Sequence, residues 1–489
     1  MSERTRGWLL AALALAAVTL FVGLAVARGR TSRSADGSHT AAHESLGVVD
    51  LPGDAAVPPA AGDVHYTVAP GDTLGVIAER FGVSVEELMA GNGLADPNQL
   101  QVGQALAIRG APAREGPALR IIPDSELVNG PAYVGFDTAS EIARFGGHLA
   151  GYSESVNGIE MTGTEIVETI SRDFSIGPRL LLAILEARGG WVTGAVTDAT
   201  ALSYPAGLAD PARSGLWRQL NWLADRLNGG YYDWQTRASR GMTLADGSRL
   251  AGHPSLGPGS FALQRALAFQ ATEAELPGLL ADVQAAYGRL FGDPFTLAPP
   301  PQASSPRGFP SLGLPFAPGD LWWMTGGPHG GWADGSAWAA LDFVPEEPER
   351  GCFTSARWAT AAADGVVLPG GDGQLWLDLD GDGDRRTGPV LFYMHLAEEG
   401  RVAPGSAVKA GDPLGHPSCE GGLSNATHLH LARLFDGNWL AAAGEAPFEL
   451  GGWRATGGKQ TYDGGLQRRD GQKREACECR TEGVNDLQK

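Results

Sequence analysis

Cysteine is scarce in this chain of 489 residues: there are four, at 352, 419, 477 and 479. So few leave room for two structural bridges if the chain is exported, or for incidental thiols if it is not. Basic residues are also under-represented, 37 Lys and Arg against 56 Asp and Glu, a formal charge of −19. That balance lacks the basic footprint a nucleic-acid partner needs and keeps the chain soluble. Residues 31–63 hold one Tyr-free, Trp-free and Phe-free stretch of Ala, Ser, Asp, Gly and Pro. Such a segment cannot bury enough apolar surface to order itself, and reads as a tether. What is present in excess is Gly, 70 residues, with 32 Pro, which points to linkers and turn-rich β structure. The length exceeds what one hydrophobic core fills, so several domains are expected.

Arg4 and Arg6 precede an uncharged apolar run from Trp8 to Ala27. It is long enough to span a bilayer as a helix, and ends in Ala25-Val26-Ala27, a small-x-small pattern. Residues 1–30 therefore read as a signal anchor or a signal peptide, with a membrane as partner in the first case. Either places the bulk of the chain outside the cytoplasm. Further breaks fall at Arg109–Ala118 and at the Pro-rich spacer 298–312. They delimit three folded units at 64–109, 120–297 and 313–453, with 454–489 expected to be a polar, flexible tail.

In the first unit, Tyr66-Thr67-Val68 alternates like a strand. Asp72 or Thr73 can cap a helix with Leu74, Ile77, Ala78 and Phe81 on one face. Ser84 and Glu87 form a capping-box pattern ahead of Val85, Leu88 and Met89. Ala105–Ile108 closes the unit, giving β-α-α-β. The residues Tyr66-Thr67-Val68, Gly71-Asp72-Thr73-Leu74, Ile77-Ala78, Leu88, Asn92 and Val102-Gly103-Gln104 closely resemble the LysM module. That resemblance implies binding to N-acetylglucosamine-containing glycans such as peptidoglycan. The loops holding Gly71, Asp72, Thr73, Leu100 and Gln101 are the candidate sugar contacts.

The second unit shows helical periodicity. One helix carries Ile166, Val167, Ile170 and Phe174. Another starts at Pro178 and stops at Gly189, and a third places Leu216, Trp217, Leu220, Leu223 and Leu227 at helical spacing. Leu180–Gly190 and the later Ser255–Leu267 resemble segments of lysozyme-like transglycosylases, implying an all-α lysozyme-like domain. Arg188 then stands where that family has its catalytic Glu. An Arg does not give up its proton at neutral pH, and Glu186 lies about 200° away around the helix. The unit is expected to position glycan without cleaving it, a glycosidase using Glu186 being the alternative.

The third unit holds His329, Asp342, His395, His428 and His430 in that order. Thr427–Arg433 alternates strictly, so on a strand both His428 and His430 face one site. Asp342 lies in an apolar run, where an unpaired carboxylate is costly. His329 lies among glycines and can equally be a turn residue. His329, Asp342 and one His of the H-x-H pair would make a three-ligand zinc site with one open position. The series GGPHGG…ALDF, TAAADGVV, YMHL, VKAGDPLGH and THLHLAR strongly resembles the lysostaphin-type zinc endopeptidases. Most of that family places its first His four residues before the Asp. Here that position is Trp338, and the spacing from His329 to Asp342 is that of the beta-lytic branch. The resemblance implies a mostly antiparallel β domain with His329, Asp342 and His430 as zinc ligands. It makes His428 the general base and His395 the group that stabilises the oxyanion or protonates the leaving amine. Tyr393, two residues from His395, is read as a groove residue.

Asp378, Asp380, Asp382 and Asp384 occupy the first positions of a calcium-loop pattern, but the twelfth position is Pro389, so a plain acidic hairpin turn is the competing reading. Cys352 and Cys419 are expected to bridge two loops near the site. Cys477 and Cys479 lie too close for an easy mutual bond. The combined expectation is an exported cell-wall hydrolase, membrane-anchored or secreted at the bacterial wall. A non-enzymatic wall scaffold and a glycan-cleaving enzyme are its alternatives.

Overall fold

The computed structural model describes residues 64–488 apart from 69–71, 82, 84, 98–99, 102, 109–113, 237–239, 298–307 and 459. The N-terminal apolar run, the tether, Gly71 and most of the Pro-rich spacer lie outside the described residues. Among the described residues no helix is long and apolar enough to cross a membrane.

The first unit has the expected order: β1 (Val64–Thr67), α1 (Leu74–Phe81), α2 (Val85–Asn92) and β2 (Ala105–Ile108), with β1 antiparallel to β2. Val68, Leu74, Ile77, Ala78, Leu88, Leu106 and Ile108 form its core. Thr73 accepts from the Val76 backbone N–H and so caps α1. Asn92 ties α2 to β2: its amide donates to Ala107 O at 2.8 Å, and Ala107 N–H donates back to its Oδ1 at 2.6 Å.

The middle unit is built on α3 (Gly163–Phe174), α4 (Pro178–Gly189), α5 (Leu216–Thr236), α6 (Pro258–Ala268) and α7 (Leu276–Phe291). Thr162 and Glu165 close a capping box at the start of α3, and Gly190, at φ 65°, ends α4. The helix α5 runs on past Leu227 because Tyr231, Tyr232 and Trp234 continue its buried face. The domain is not purely helical, as expected from periodicity. Two short hairpins interrupt it, Ser153–Val156 with Ile159–Thr162 and Gly241–Thr243 with Arg249–Ala251. Three- and four-residue strands are too short to leave a period-2 signature.

The third unit is a nine-stranded antiparallel sheet. Its strands are β3 (Leu321–His329), β4 (Ala340–Pro345), β5 (Gly365–Leu368), β6 (Leu375–Asp378), β7 (Pro389–Met394), β8 (Ala407–Val408), β9 (Leu429–Phe435) and the short β10 (Asn438–Trp439). The ninth comes from the region read as a flexible tail. That reading is corrected here. Residues 449–488 form β11 (Glu449–Leu450), β12 (Trp453–Gly457), β13 (Gly464–Arg468), β14 (Lys473–Glu475) and β15 (Asp486–Gln488). The first four make their own sheet, and β15 pairs with β3 at the edge of the large one, whose order is β8-β5-β6-β7-β9-β4-β3-β15 with β10 on β9. Only Trp453, Ala455, Leu466 and Leu487 of these strands are strongly buried apolar anchors past Leu450. Their polar neighbours mask the pattern in a composition reading.

The two faces of the large sheet belong to different cores. Leu341, Phe343, Leu391, Tyr393, Leu429 and Leu431 pack inside the third unit. Ala340, Val390, Phe392, Ala432, Leu434 and Trp439, on the other face, join one hydrophobic cluster with α3, α4, α5 and α6. Polar contacts lock the same seam: Trp439 N–H donates to Tyr232 Oη at 2.9 Å, and Ser175 Oγ to Gly437 O at 2.6 Å. The face bearing Asp342 and His430 is thus the one against which the helical domain packs.

Candidate metal centre

Asp342 and His430 are direct cross-strand partners on β4 and β9, so one face presents both. His329 arrives from β3 by a different route. Two register shifts, between Met324 and Gly326 and between Gly326 and His329, bend the end of the strand toward Asp342. Gly326 sits against the Asp342 carboxylate, where a Cβ would collide with Oδ2. The glycines therefore form a bulged strand end with room for the acid, in place of the free turn their composition implies.

Three atoms converge. His329 Nε2 lies 3.0 Å from His430 Nδ1, and each lies 3.3 Å from Asp342 Oδ1. Ligand atoms on a tetrahedron with zinc–nitrogen bonds of ~2.05 Å are themselves about 3.3 Å apart. The other ring nitrogens are engaged: His329 Nδ1 bonds Gly327 O at 2.8 Å, and His430 Nε2 bonds Gly331 O at 3.0 Å. A carbonyl only accepts, so those nitrogens carry the protons and the converging ones are lone pairs. Asp342 Oδ1 is buried without a hydrogen-bond partner. Two lone pairs and a carboxylate oxygen facing one point, with residues only 4–7% exposed, fit a bound cation. Burial opposes ionisation of Asp342, yet His329 and His428 hold its carboxyl well below the usual carboxylate range. Burial lowers His430, while at His329 the Asp342 charge overrides burial and raises the imidazole.

His428 and His395 stand beside this triangle. His428 Nε2 is 3.8 Å from Asp342 Oδ1, and its Nδ1 bonds Ala426 O at 2.8 Å. His395 Nδ1 bonds Glu420 O at 3.0 Å, leaving Nε2 uncommitted to that carbonyl, and the two rings are 4.4 Å apart. Burial, then the neighbouring His428 and His430, hold His395 well below the ordinary imidazole value. All five residues line one cleft of about 1100 Å³, with Phe174 and Asn221 of the helical domain on its wall.

Tyr393 is not a groove residue. It is fully buried on the opposite face, and its Oη accepts from Ala362 N–H at 2.8 Å. The i, i+2 rule fails here because β7 ends at Met394 and His395 adopts φ 64°. Met394 lines the cleft instead. A residue missed from sequence is Tyr462, at the tip of the β12–β13 hairpin. Its ring stacks on His329 at 4.2 Å and 19°. Its carbonyl accepts from Gly327 N–H at 2.8 Å, and its N–H donates to Pro328 O at 3.1 Å. Tyr462 stands at φ 69° in the loop between β12 and β13, and no local sequence pattern announces where its ring lands.

Cys352 and Cys419 are bonded, with Cα atoms 5.6 Å apart. Cys477 and Cys479 are bonded as well, contrary to the expectation from their spacing. Their Cα atoms lie 5.1 Å apart, with Glu478 exposed between them. The acidic loop is a hairpin between β6 and β7. Asp378 turns inward to accept from the N–H groups of Asp380, Gly381 and Gly383, and Asp384 pairs with Arg386. Three of its carboxylates, Asp378, Asp380 and Asp382, still cluster, but these bonds account for the loop as a turn. In the first unit Asp72 accepts from Tyr66 Oη at 2.6 Å, while Thr73 caps α1; Leu100 is half-buried and Gln101 exposed.

Glu186 braces the turn after α4. It accepts from Val192 N–H and Thr193 N–H, each at 3.0 Å, and from Thr193 Oγ1 at 2.6 Å. Arg188 is turned to Gln270 at 3.1 Å. Glu186→Gln is therefore expected to leave product identity unchanged and rate within roughly twofold, assayed by mass spectrometry of peptidoglycan digests. Loss of reducing-end products in the variant would make the middle unit catalytic.

Fold and site define a chain with a small β-α-α-β module, a helical domain and an antiparallel β domain that brings two histidines and an aspartate to one buried point. Residues 66–109 match the LysM domain family, and residues 120–302 match the family described as LasA, N-terminal domain. The latter covers the middle unit, in which two short patches resemble lysozyme-like transglycosylases. Protease LasA of Pseudomonas aeruginosa (strain UCBPP-PA14) is 25% identical over 324 residues, 62% of this chain and 73% of that protein. N-acetylmuramoyl-L-alanine amidase XlyA of Bacillus subtilis (strain 168) is 32% identical over 119 residues, 24% of this chain; the chain spans 40% of the amidase's length. Among solved structures, the M23 metalloprotease pseudoalterin is 23% identical, covering 34% of this chain and 95% of that one, with a TM-score of 0.28. The catalytic domain of lysostaphin from Staphylococcus simulans is 23% identical, covering 25% and 87%, with a TM-score of 0.17.

Proposed function

We propose that the chain is a zinc-dependent endopeptidase that cleaves peptide bonds in the stem or cross-bridge peptides of peptidoglycan, held to its substrate by the LysM domain. The observation that carries this reading is the triangle of His329 Nε2, Asp342 Oδ1 and His430 Nδ1 around an unpartnered buried carboxylate oxygen. These three would hold the ion. When bound, zinc supplies a Lewis acid that brings the pKa of a water toward neutrality and polarises a peptide carbonyl.

The remaining steps belong to side chains. His428, with its Nδ1 proton committed to Ala426 O, offers Nε2 as the base that takes a proton from the attacking water. His395 is held neutral by burial and by its imidazole neighbours, so a proton reaching its Nε2 is readily given up to the departing amine. The peptide C–N bond breaks, and the proton taken from water ends on the new amino terminus. Gly327 O and Gly331 O keep the His329 and His430 rings in the required tautomer. A wall-binding module joined to the peptidase raises local substrate concentration on an insoluble polymer.

The test incubates the full-length chain with purified peptidoglycan, with and without a zinc chelator, and reads the products by mass spectrometry. New amino termini that vanish with chelator or in His430→Ala are expected. Reducing sugar ends would move the chemistry elsewhere. Wall binding without any product would leave a scaffold.

A further inference from the structure

The loop 330–339 between β3 and β4 lies outside any strand, yet it orients the centre: Gly331 O receives His430 Nε2–H, and His329 enters the loop directly. The loop is folded on itself. Gly331 N–H donates to Ala337 O at 3.1 Å, Trp332 N–H to Ser336 Oγ at 3.0 Å, and Ser336 Oγ to Ala333 O at 3.2 Å. Ala333 sits at φ 55°, a strained position for a residue with a Cβ. Its tip is held from another domain. Gly335 N–H donates at 2.7 Å to Asp225 Oδ1 on α5, and a Cβ on Gly335 would collide with the Asp225 backbone oxygen. Asp225 is only 8% exposed. Burial pushes its carboxyl up to about 6, with the Gly335 N–H acting in the opposite direction. An acid in such a place is costly unless its hydrogen bond is needed. At the loop's other end Trp338 O accepts from Ala442 N–H at 2.7 Å within the sheet domain, and Trp332 packs against Phe174 and Phe392 at 6.2 and 6.0 Å, an apolar and less directional contact.

We propose that Asp225 of the helical domain is a positioning residue for the metal centre: by fixing Gly335 it sets where Gly331 O stands, and so how His430 presents Nδ1. The inference rests on the zinc reading above. It makes zinc affinity a property of two domains together.

The experiment titrates zinc into the full-length metal-free chain against a competing chromophoric chelator, and records melting of the metal-free form alongside. Asp225→Ala is expected to weaken zinc binding ~10-fold or more, as loss of an outer partner does. Asp225→Asn, whose amide oxygen accepts from the same N–H, is expected to stay within about threefold. Lower melting of metal-free Asp225→Ala with unchanged zinc affinity would reduce Asp225 to a structural residue and overturn the proposal. Should Asp225→Ala fail to fold, Gly335→Ala displaces the loop tip instead, and unchanged zinc affinity there overturns it equally. A wild-type chain that takes up no zinc sinks the centre itself, an outcome distinct from wild type and variants binding alike.

Discussion

Asp342→Asn is expected to lose at least ~10³-fold of the proposed peptidase activity while the metal-free chain keeps its fold. Asp342 is the one anion among the three converging groups, and its Oδ1 is the buried atom without a partner. An amide in its place keeps the shape but removes the charge, and it can turn an N–H into the position where lone pairs now meet. The metal-free protein has little reason to unfold. The variant keeps the backbone pairing of β4 with β9 and a side chain of the same shape, and gives up only the attraction of His329 and His428 that holds the carboxyl ionised against its burial. Zinc at 1,000 times its dissociation constant stabilises a folded protein by about 4.1 kcal/mol. Wild type should therefore melt higher when zinc is added, and Asp342→Asn should not. Near-wild-type turnover in the variant, or an equal zinc-induced shift, would remove Asp342 from the centre.

The parts of this site that were legible in the sequence obey short-range rules. His428 and His430 face one way because a strand has period two. Asp342 stood out because its apolar run left the carboxylate no local partner. The LysM module was legible as a whole because its small core and its Asn92 clamp lie within one contiguous stretch. The misses arise where the chain leaves those rules. Tyr393 was placed in the groove by extending the strand two residues, past the point where His395 turns to positive φ. The shared core between the helical domain and the sheet was invisible because both surfaces are ordinary apolar faces in their own elements. Each looked complete when read alone, and a Pro-rich spacer between them read as a boundary. Asp225 passed unnoticed for the same reason: its partner is 110 residues away, and no periodicity spans that distance.

Removing residues 454–489 is expected to abolish both zinc binding and activity and to leave a chain that fails to melt cooperatively. If these residues were a flexible appendage, the truncated protein would behave like the whole. Their packing says otherwise. Ala455, Leu466 and Leu487 belong to the core of the sheet domain, and losing one buried Leu side chain costs about 2–5 kcal/mol. Against a total stability of roughly 5–15 kcal/mol, two such losses remove most of the margin that holds a native state. The backbone consequences point the same way. Without β15, Trp322 and Trp323 lose Leu487 and Asp486 as partners on that side, and β3 becomes an open edge carrying two tryptophans. That strand ends in His329. Without the β12–β13 hairpin, Gly327 N–H loses the Tyr462 carbonyl, and the His329 ring loses the aromatic face stacked on it at 4.2 Å. A milder version separates the two effects: Tyr462→Ala keeps the hairpin strands and β15, so it should melt as wild type within a few degrees, by about 1 kcal/mol. It should still bind zinc less tightly, because the stacked face that helps fix the His329 ring is gone. Zinc affinity unchanged in Tyr462→Ala, together with a truncated chain that retains activity, would return the tail to the role its composition first suggested.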